Sequence, residues 1–351
     1  MKAVPFFSHG PASVLEYREH FAEPLSSRDH QEIVEVEYCG VNHLDIWTRE
    51  GIPGKKIKLP HVCGCDIVGR TKSKGRMMVY PGVSCGKCSQ CRAGRENLCS
   101  QFAIIGGMSD YDGGYAERVA VPAGNLIKLP PVIKPEHAAT LAVSYLTAWN
   151  MLRTNNVQSK QTLLVYGASS GVGMATIQLA KALGAIVITT VSTKDKRDFA
   201  DKLGADHVID RTAGKNIAAE ALKFTKERSR RGGSAAGGDG GSGVDIVIDH
   251  VGAATWQTSI AALKPGGRMA VCGMTSGNEA VVPVRMFYTK QIVMTGALLG
   301  TKRQLQELVR FVVRKKIRPV IDSVMPLEQA SEAQRRMEAG GHMGKIVLKC
   351  R

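Results

Sequence analysis

The stretch that most restricts this chain runs from residue 162 to residue 191. It reads as an apolar run, TLLVY, a turn of small residues, GASSGVG, a helix-forming segment, MATIQLAKALGA, and a second apolar run, IVITTV. Continuous apolar runs of this length are strands buried on both faces, and strands joined through a helix lie parallel. The rhythm continues with a helix, KRDFADKLGA, and the strands HVID, VDIVIDHVG, RMAVCGM and IVMTGALLG. That alternation predicts an α/β fold built on a doubly wound parallel sheet. The part before it is different. Ile33, Val34 and Val36 lie in a strand-like segment, and Gly and Pro punctuate short apolar runs as far as Pro131, which predicts a β-rich region. A helix is expected over HAATLAVSYLTAWNML, from about Glu136. At 351 residues, 44% hydrophobic and 22% charged, the chain suits two ordinary globular domains.

The glycine turn carries the first functional signal. Ala168, Ser169, Ser170, Gly171, Val172 and Gly173 follow a buried strand and open a helix. Small residues there let the backbone approach a pyrophosphate, which sits at the positive end of the helix dipole. The dinucleotide is read at the end of the second strand, where an acidic residue would accept from the ribose hydroxyls of NAD. Here Val191 is followed by Ser192, Thr193, Lys194, Asp195, Lys196 and Arg197. Hydroxyls and cations suit a 2′-phosphate, so NADP(H) is expected. The alternative is a solvated helix start with Ser or Thr as its cap.

Cys85, Cys88, Cys91 and Cys99 have the spacing C-x2-C-x2-C-x7-C. Tight turns at such spacing aim successive thiolates at one point, and four thiolates close a tetrahedron around Zn2+. One structural zinc per chain is therefore expected, with an iron–sulfur cluster or free thiols as alternatives.

The net charge is +16. Residues 223–231 hold five basic residues against one acidic, and 302–318 hold seven against one. The first group approaches a Gly- and Ser-rich segment, 229–243, expected to be a flexible loop. The second lies on an amphipathic helix with Leu305, Leu308, Val309 and Val312 on one face. Aromatic residues are only 5% and do not interleave with a basic stripe, so a nucleic-acid partner is not expected. No apolar run reaches about 18 residues and the N-terminus lacks a signal-like core, so a cytoplasmic chain with no membrane partner is expected.

These features together resemble the medium-chain dehydrogenase/reductase superfamily over nearly the whole chain. The resemblance rests on GVNHLDIW near residue 40, PHVCGCDIVG near 60, the four-cysteine lobe, GGYAERVAVP near 115, GASSGVG and the closing GKIVL. It implies a GroES-like catalytic domain over 1–144 and 299–351, with its zinc lobe at about 82–102. A Rossmann domain would occupy 145–298. A homodimer or homotetramer is implied, paired through the edge strand near Ile292 to Leu299.

The catalytic-metal positions depart from the family's zinc alcohol dehydrogenases. Where those place Cys, His and a further Cys or Asp, this chain reads Asn42, Cys65 and, near the third position, Val143. The resemblance therefore points to the quinone oxidoreductase-like branches, which reduce an enone, enal or quinone with NADPH and no catalytic zinc. It implies that Asn42 donates to the developing enolate oxygen and that His43 lies near the cofactor phosphates. Thr147 and Val172 would pack by the nicotinamide. Cys272, Gly273, Met274, Ala297 and Leu299 would hold its carboxamide. Trp47 replaces a proton-relay histidine, and Asp45 is given a positioning role. Two alternatives remain: an alcohol or aldehyde dehydrogenase with a metal site rebuilt from Cys39, Cys65 and Asp66, with or without His43, and a non-catalytic or nucleic-acid-binding relative.

Overall fold

The computed structural model describes residues 1–25, 30–52, 54–231 and 242–351. Most of the 229–243 segment lies outside these. In chain order the main elements of the N-terminal part are β1 (Gln31–Gly40), α1 (His43–Glu50), β2 (Asp66–Thr71), β3 (Gly75–Val79), β4 (Arg118–Pro122), β5 (Leu126–Lys128) and α2 (Leu146–Thr154). The alternating part holds β6 (Thr162–Val165), α3 (Gly171–Ala182), β7 (Ile186–Val191), α4 (Lys194–Lys202), β8 (His207–Asp210) and α5 (Ile217–Arg230). It continues through β9 (Val244–Asp249), α6 (Trp256–Ala262), β10 (Leu263–Val271), α7 (Val284–Thr289) and β11 (Val293–Gly296). The chain closes with α8 (Lys302–Lys315), β12 (Ile321–Pro326), α9 (Ala330–Glu338) and β13 (Lys345–Lys349). No described helix is long and apolar enough to cross a membrane.

Two compact units result: 1–146 with 299–351, and 147–298. The first has a sheet ordered β12-β13-β1-β2-β3-β5, with β4 also paired to β1. The ten-residue β1 is its hub, antiparallel to β13, β2 and β4, and its Val34, Val36 and Cys39 enter the core. Helix α8 buries Leu305, Leu308, Val309 and Val312, the face read from its periodicity, and adds Phe311. Thr301 and Gln304 form a capping box at its start.

The second unit is a six-stranded parallel sheet ordered β8-β7-β6-β9-β10-β11. Every residue of β6 and β9 is buried, as the apolar runs require of central strands. From β6 the chain steps outward to β7 and β8, then returns to place β9 on the other side. The sheet therefore has a switch point between β6 and β9, where such folds bind ligands at the carboxyl ends of their strands.

The helix expected from Glu136 is broken. Pro135–Ala138 makes one turn, Leu141–Tyr145 is wound as a π-turn, and α2 follows. The reason is local. Val143 N donates to Asp66 Oδ1 at 2.8 Å instead of completing an α-helical bond, and a side chain at Gly40 would come within 2.0 Å of Ala139 O. The break serves the site described next.

Candidate functional site

In the first unit, Asn42 leaves β1 in extended conformation and caps α1. Asp66 opens β2 opposite Gly40, and Lys345 opens β13. All three are almost fully buried, with Lys345 only 1% exposed. A buried ammonium must find oxygen acceptors. Lys345 donates to Val41 O at 2.6 Å and to Asn42 Oδ1, and reaches Ser144 Oγ at 3.3 Å and Asp66 Oδ2 at 3.4 Å. With its oxygen held by the ammonium, Asn42 turns its amide nitrogen to Asp66 Oδ2 at 3.0 Å and Gly40 O at 3.1 Å. Burial raises the Asp66 carboxyl above its usual range, and the Lys345 charge pulls it back.

Behind this group lies Asp45, fully buried on α1. Its carboxylate accepts from Asn42 N at 2.8 Å, Tyr115 Oη at 3.0 Å and Cys65 Sγ at 3.6 Å. Burial pushes its pKa up to about 7. The thiols of Cys39, Cys63 and Cys65 are raised well above their usual range by the same burial. His43 is half-buried at the start of α1, its ring 6.3 Å from that of Trp47.

The positions that hold a catalytic metal in zinc enzymes of this shape do converge, but their donors do not suit one. Asn42 offers a neutral amide whose oxygen already faces a cation. Cys65 is a buried thiol turned to Asp45, and Val143 brings an amide N–H. An open zinc site needs three anionic or imidazole ligands with lone pairs free. Cys39, Cys65 and Asp66 do not make up the difference. Among the described residues, the one group of His, Cys, Asp or Glu close enough to share an ion is Cys85, Cys88, Cys91 and Cys99.

Those four sulfurs all lie within 4.8 Å of one another, with Cys88–Cys91 at 3.5 Å, Cys85–Cys99 at 3.6 Å and Cys85–Cys91 at 3.9 Å. Zinc–sulfur bonds of about 2.3 Å in a tetrahedron place sulfurs about 3.8 Å apart. The group therefore fits a closed zinc site. Backbone N–H groups of Lys87 and Cys88 lower the Cys85 thiol to about 6, which favours the thiolate such a site requires.

In the second unit the glycine turn joins β6 to α3. Gly167 takes a left-handed φ of +59°, and a side chain at Gly173 would stand 2.1 Å from Gly167 O. Helix and strand can approach this closely only with glycine there. Ser170 Oγ caps α3 by accepting from Gly173 N at 2.9 Å, and Ala168 N and Gly167 N bind Thr190 at the end of β7. Ser169, Ser170, Gly171 and Val172 remain partly exposed at the mouth of the turn.

At the end of β7, Thr193 caps α4 by accepting from Lys196 N at 3.3 Å, so one hydroxyl has the helix-start role weighed against a phosphate contact. Ser192, Lys196 and Arg197 are half-buried around it. Asp210 feels the Arg197 charge, although its depressed pKa comes first from Thr212. Cys272, Gly273 and Met274 follow β10 and pack beside residues 249–252. Ala297 N binds Val271 O at 2.8 Å. Thr147 is buried at the start of α2, and Leu299 is buried with φ +53° in the first unit.

Sequence reasoning passed over Gly167, Ser144 and Lys345. The last had a signal: GKIVL puts a lysine at the head of a buried strand.

The two halves match separate family descriptions. Residues 28–131 match the alcohol dehydrogenase GroES-like domain, and 171–314 match zinc-binding dehydrogenase. A solved NAD-dependent alcohol dehydrogenase superposes with a TM-score of 0.87 at 35% identity, covering 99% of both chains. The quinone oxidoreductase of Pongo abelii is 27% identical over 99% of this chain and 97% of its own. The crotonyl-CoA carboxylase/reductase of Cereibacter sphaeroides is 29% identical over 91% of this chain and 80% of its own. The chain belongs to the medium-chain dehydrogenase/reductase superfamily, an oxidoreductase family built from a GroES-like and a Rossmann domain.

Proposed function

We propose that the protein reduces an activated C=C bond, of an enone or enal, or a quinone, with NADPH and without a catalytic metal. The observation that carries this reading is the donor set at the metal positions, where an amide facing the Lys345 ammonium, a buried thiol turned to Asp45 and a backbone N–H stand in place of metal ligands. Oxidation of a simple alcohol needs a Lewis acid to lower the alcohol's pKa. A conjugated acceptor does not. NADPH, when bound, supplies a hydride from its nicotinamide ring to the β carbon. The electron pair displaced from the double bond settles on the carbonyl oxygen, and a solvent proton completes the product.

The chain's own residues bind and orient. The amides at the start of α3 and the turn 168–173 receive the pyrophosphate. Ser192, Thr193, Lys196 and Arg197 receive the 2′-phosphate, since a hydroxyl and not a carboxylate directly follows Val191. Cys272, Gly273, Met274, Ala297 and Leu299 take the carboxamide, with Thr147 and Val172 beside the ring. Asn42 donates to the acceptor's oxygen by exchanging its bond to Gly40 O, and His43 lies near the cofactor phosphates. Cys85, Cys88, Cys91 and Cys99 hold one zinc that braces the lobe.

Likeness to an NAD-dependent alcohol dehydrogenase favours a second reading, alcohol oxidation at a rebuilt metal site. An NADPH-oxidation screen over quinones, enones, enals and aldehydes, run beside zinc quantification, separates the two. Turnover of enones or quinones with one zinc per chain supports the proposal. Turnover of aldehydes alone, with two zinc per chain, overturns it.

A further inference from the structure

The four-cysteine lobe is tied to the start of α8. Glu96 lies in a single turn, Glu96–Leu98, between Cys91 and Cys99, and its carbonyl accepts from Cys99 N at 3.0 Å. Its half-buried carboxylate accepts from Lys302 N, the first amide of α8, at 2.6 Å across 206 positions of chain. The Lys302 ammonium donates to Gly124 O. Two residues before Lys302, Gly300 O accepts from the buried Tyr80 Oη at 2.8 Å. Tyr80 follows β3 directly, and Asn125 Nδ2 holds it in place by donating to Tyr80 O and Gly82 O, both at 2.7 Å.

These ties exceed what α8 needs in order to begin. Its own capping box already pairs Thr301 N with Gln304 Oε1 at 2.8 Å and Gln304 N with Thr301 Oγ1 at 3.1 Å. What the extra bonds fix is the backbone just before the helix. Leu299 holds a left-handed φ of +53°, which a residue with a side chain keeps only where its surroundings over-determine it. Gly300 packs so closely that an added Cβ would stand 2.8 Å from both Gln304 Oε1 and Leu146 Cδ1. The segment begins three residues after Gly296, the carboxyl end of β11. Parallel sheets of this kind bind their ligands beyond those carboxyl ends.

We propose that Glu96 and Tyr80 are positioning residues that clamp residues 299–302, Glu96 from the cysteine lobe and Tyr80 from the end of β3, and so hold the backbone that meets the nicotinamide end of the cofactor. Neither side chain touches the cofactor. Glu96 grips the segment at an amide and Tyr80 at a carbonyl, so the two bonds together fix its direction as well as its place. The lobe then does more than brace itself: it carries one jaw of the clamp. This rests on the assignment of Leu299 to the carboxamide above, but neither on the choice between NADPH and NADH nor on the acceptor reduced.

The test is a binding series on the full chain carrying its zinc. One probe is the whole reduced cofactor, NADPH or NADH as the wild type prefers. The other is the matching adenylate without nicotinamide, 2′,5′-ADP or ADP. Glu96→Ala removes the acceptor at Lys302 N and leaves the four cysteines intact. It is expected to weaken the reduced cofactor about tenfold, to leave the adenylate unchanged and to keep one zinc per chain. Glu96→Gln, whose amide oxygen can still accept, should recover most of the loss; a glutamine variant as weak as the alanine one overturns the proposal. Tyr80→Phe leaves the lobe untouched and should show the same selective loss, and it decides the matter if Glu96→Ala fails to fold or sheds zinc. Unchanged cofactor affinity overturns the proposal, and so does an equal loss for both probes, the mark of a merely structural role. If the wild type binds the reduced cofactor no more tightly than the adenylate, the carboxamide assignment itself fails and the clamp falls with it.

Discussion

Lys345 donates a hydrogen bond to Asn42 Oδ1 from 303 positions further along the chain, and both residues are buried. The ammonium decides which way the amide faces, because only the oxygen can meet it. It also balances Asp66, whose carboxylate would otherwise be an uncompensated charge in the core.

Removing that ammonium should therefore cost more than a surface substitution. Lys345→Met is expected to lower stability by about 3–5 kcal/mol, the usual penalty for breaking one side of a buried pair. Denaturant unfolding checks this. A Lys345→Met/Asp66→Asn double variant should recover much of the loss, since it strands no charge.

Asp45 sets a pH dependence. Its carboxyl rises to about 7 in the folded chain from an ordinary value of 3.8. Between those values the folded state holds a proton that the unfolded state has released. Its contribution therefore falls as pH climbs through that window, by roughly 1.4 kcal/mol for each unit crossed. Thermal melts from pH 4 to 8 should show wild type losing ground to Asp45→Asn as pH rises. Parallel curves would contradict this.

Gly173→Ala should disable the cofactor turn. The new methyl would stand 2.1 Å from Gly167 O, a backbone atom, and 2.8 Å from Ser170 Oγ. A stability loss of about 1–3 kcal/mol is expected, with loss of NADPH fluorescence enhancement. Gly124→Ala, where nothing lies within 4 Å, is the matched control.

Cys88→Ser should reduce bound zinc from one per chain towards none, read by metal quantification. Four-sulfur sites lose affinity steeply with one ligand gone. If zinc remains at one per chain, the ion sits elsewhere.

What the sequence made legible was local. Cys85 to Cys99 span fifteen residues, and strand, turn and helix around GASSGVG are contiguous, so spacing alone reveals both. Buried apolar runs likewise mark β6 and β9. The centre around Asn42 joins residues 66, 144 and 345, and no local pattern announces that meeting. The same long-range demand broke the expected helix, because Asp66 captures Val143 N.

The central claim is conjugate reduction, and the fate of one deuterium tests it most directly. With an enone and NADPH carrying deuterium at the transferring position of nicotinamide C4, the product should be a saturated ketone labelled at the β carbon. An allylic alcohol labelled at the former carbonyl carbon would contradict the account and make the protein a carbonyl reductase.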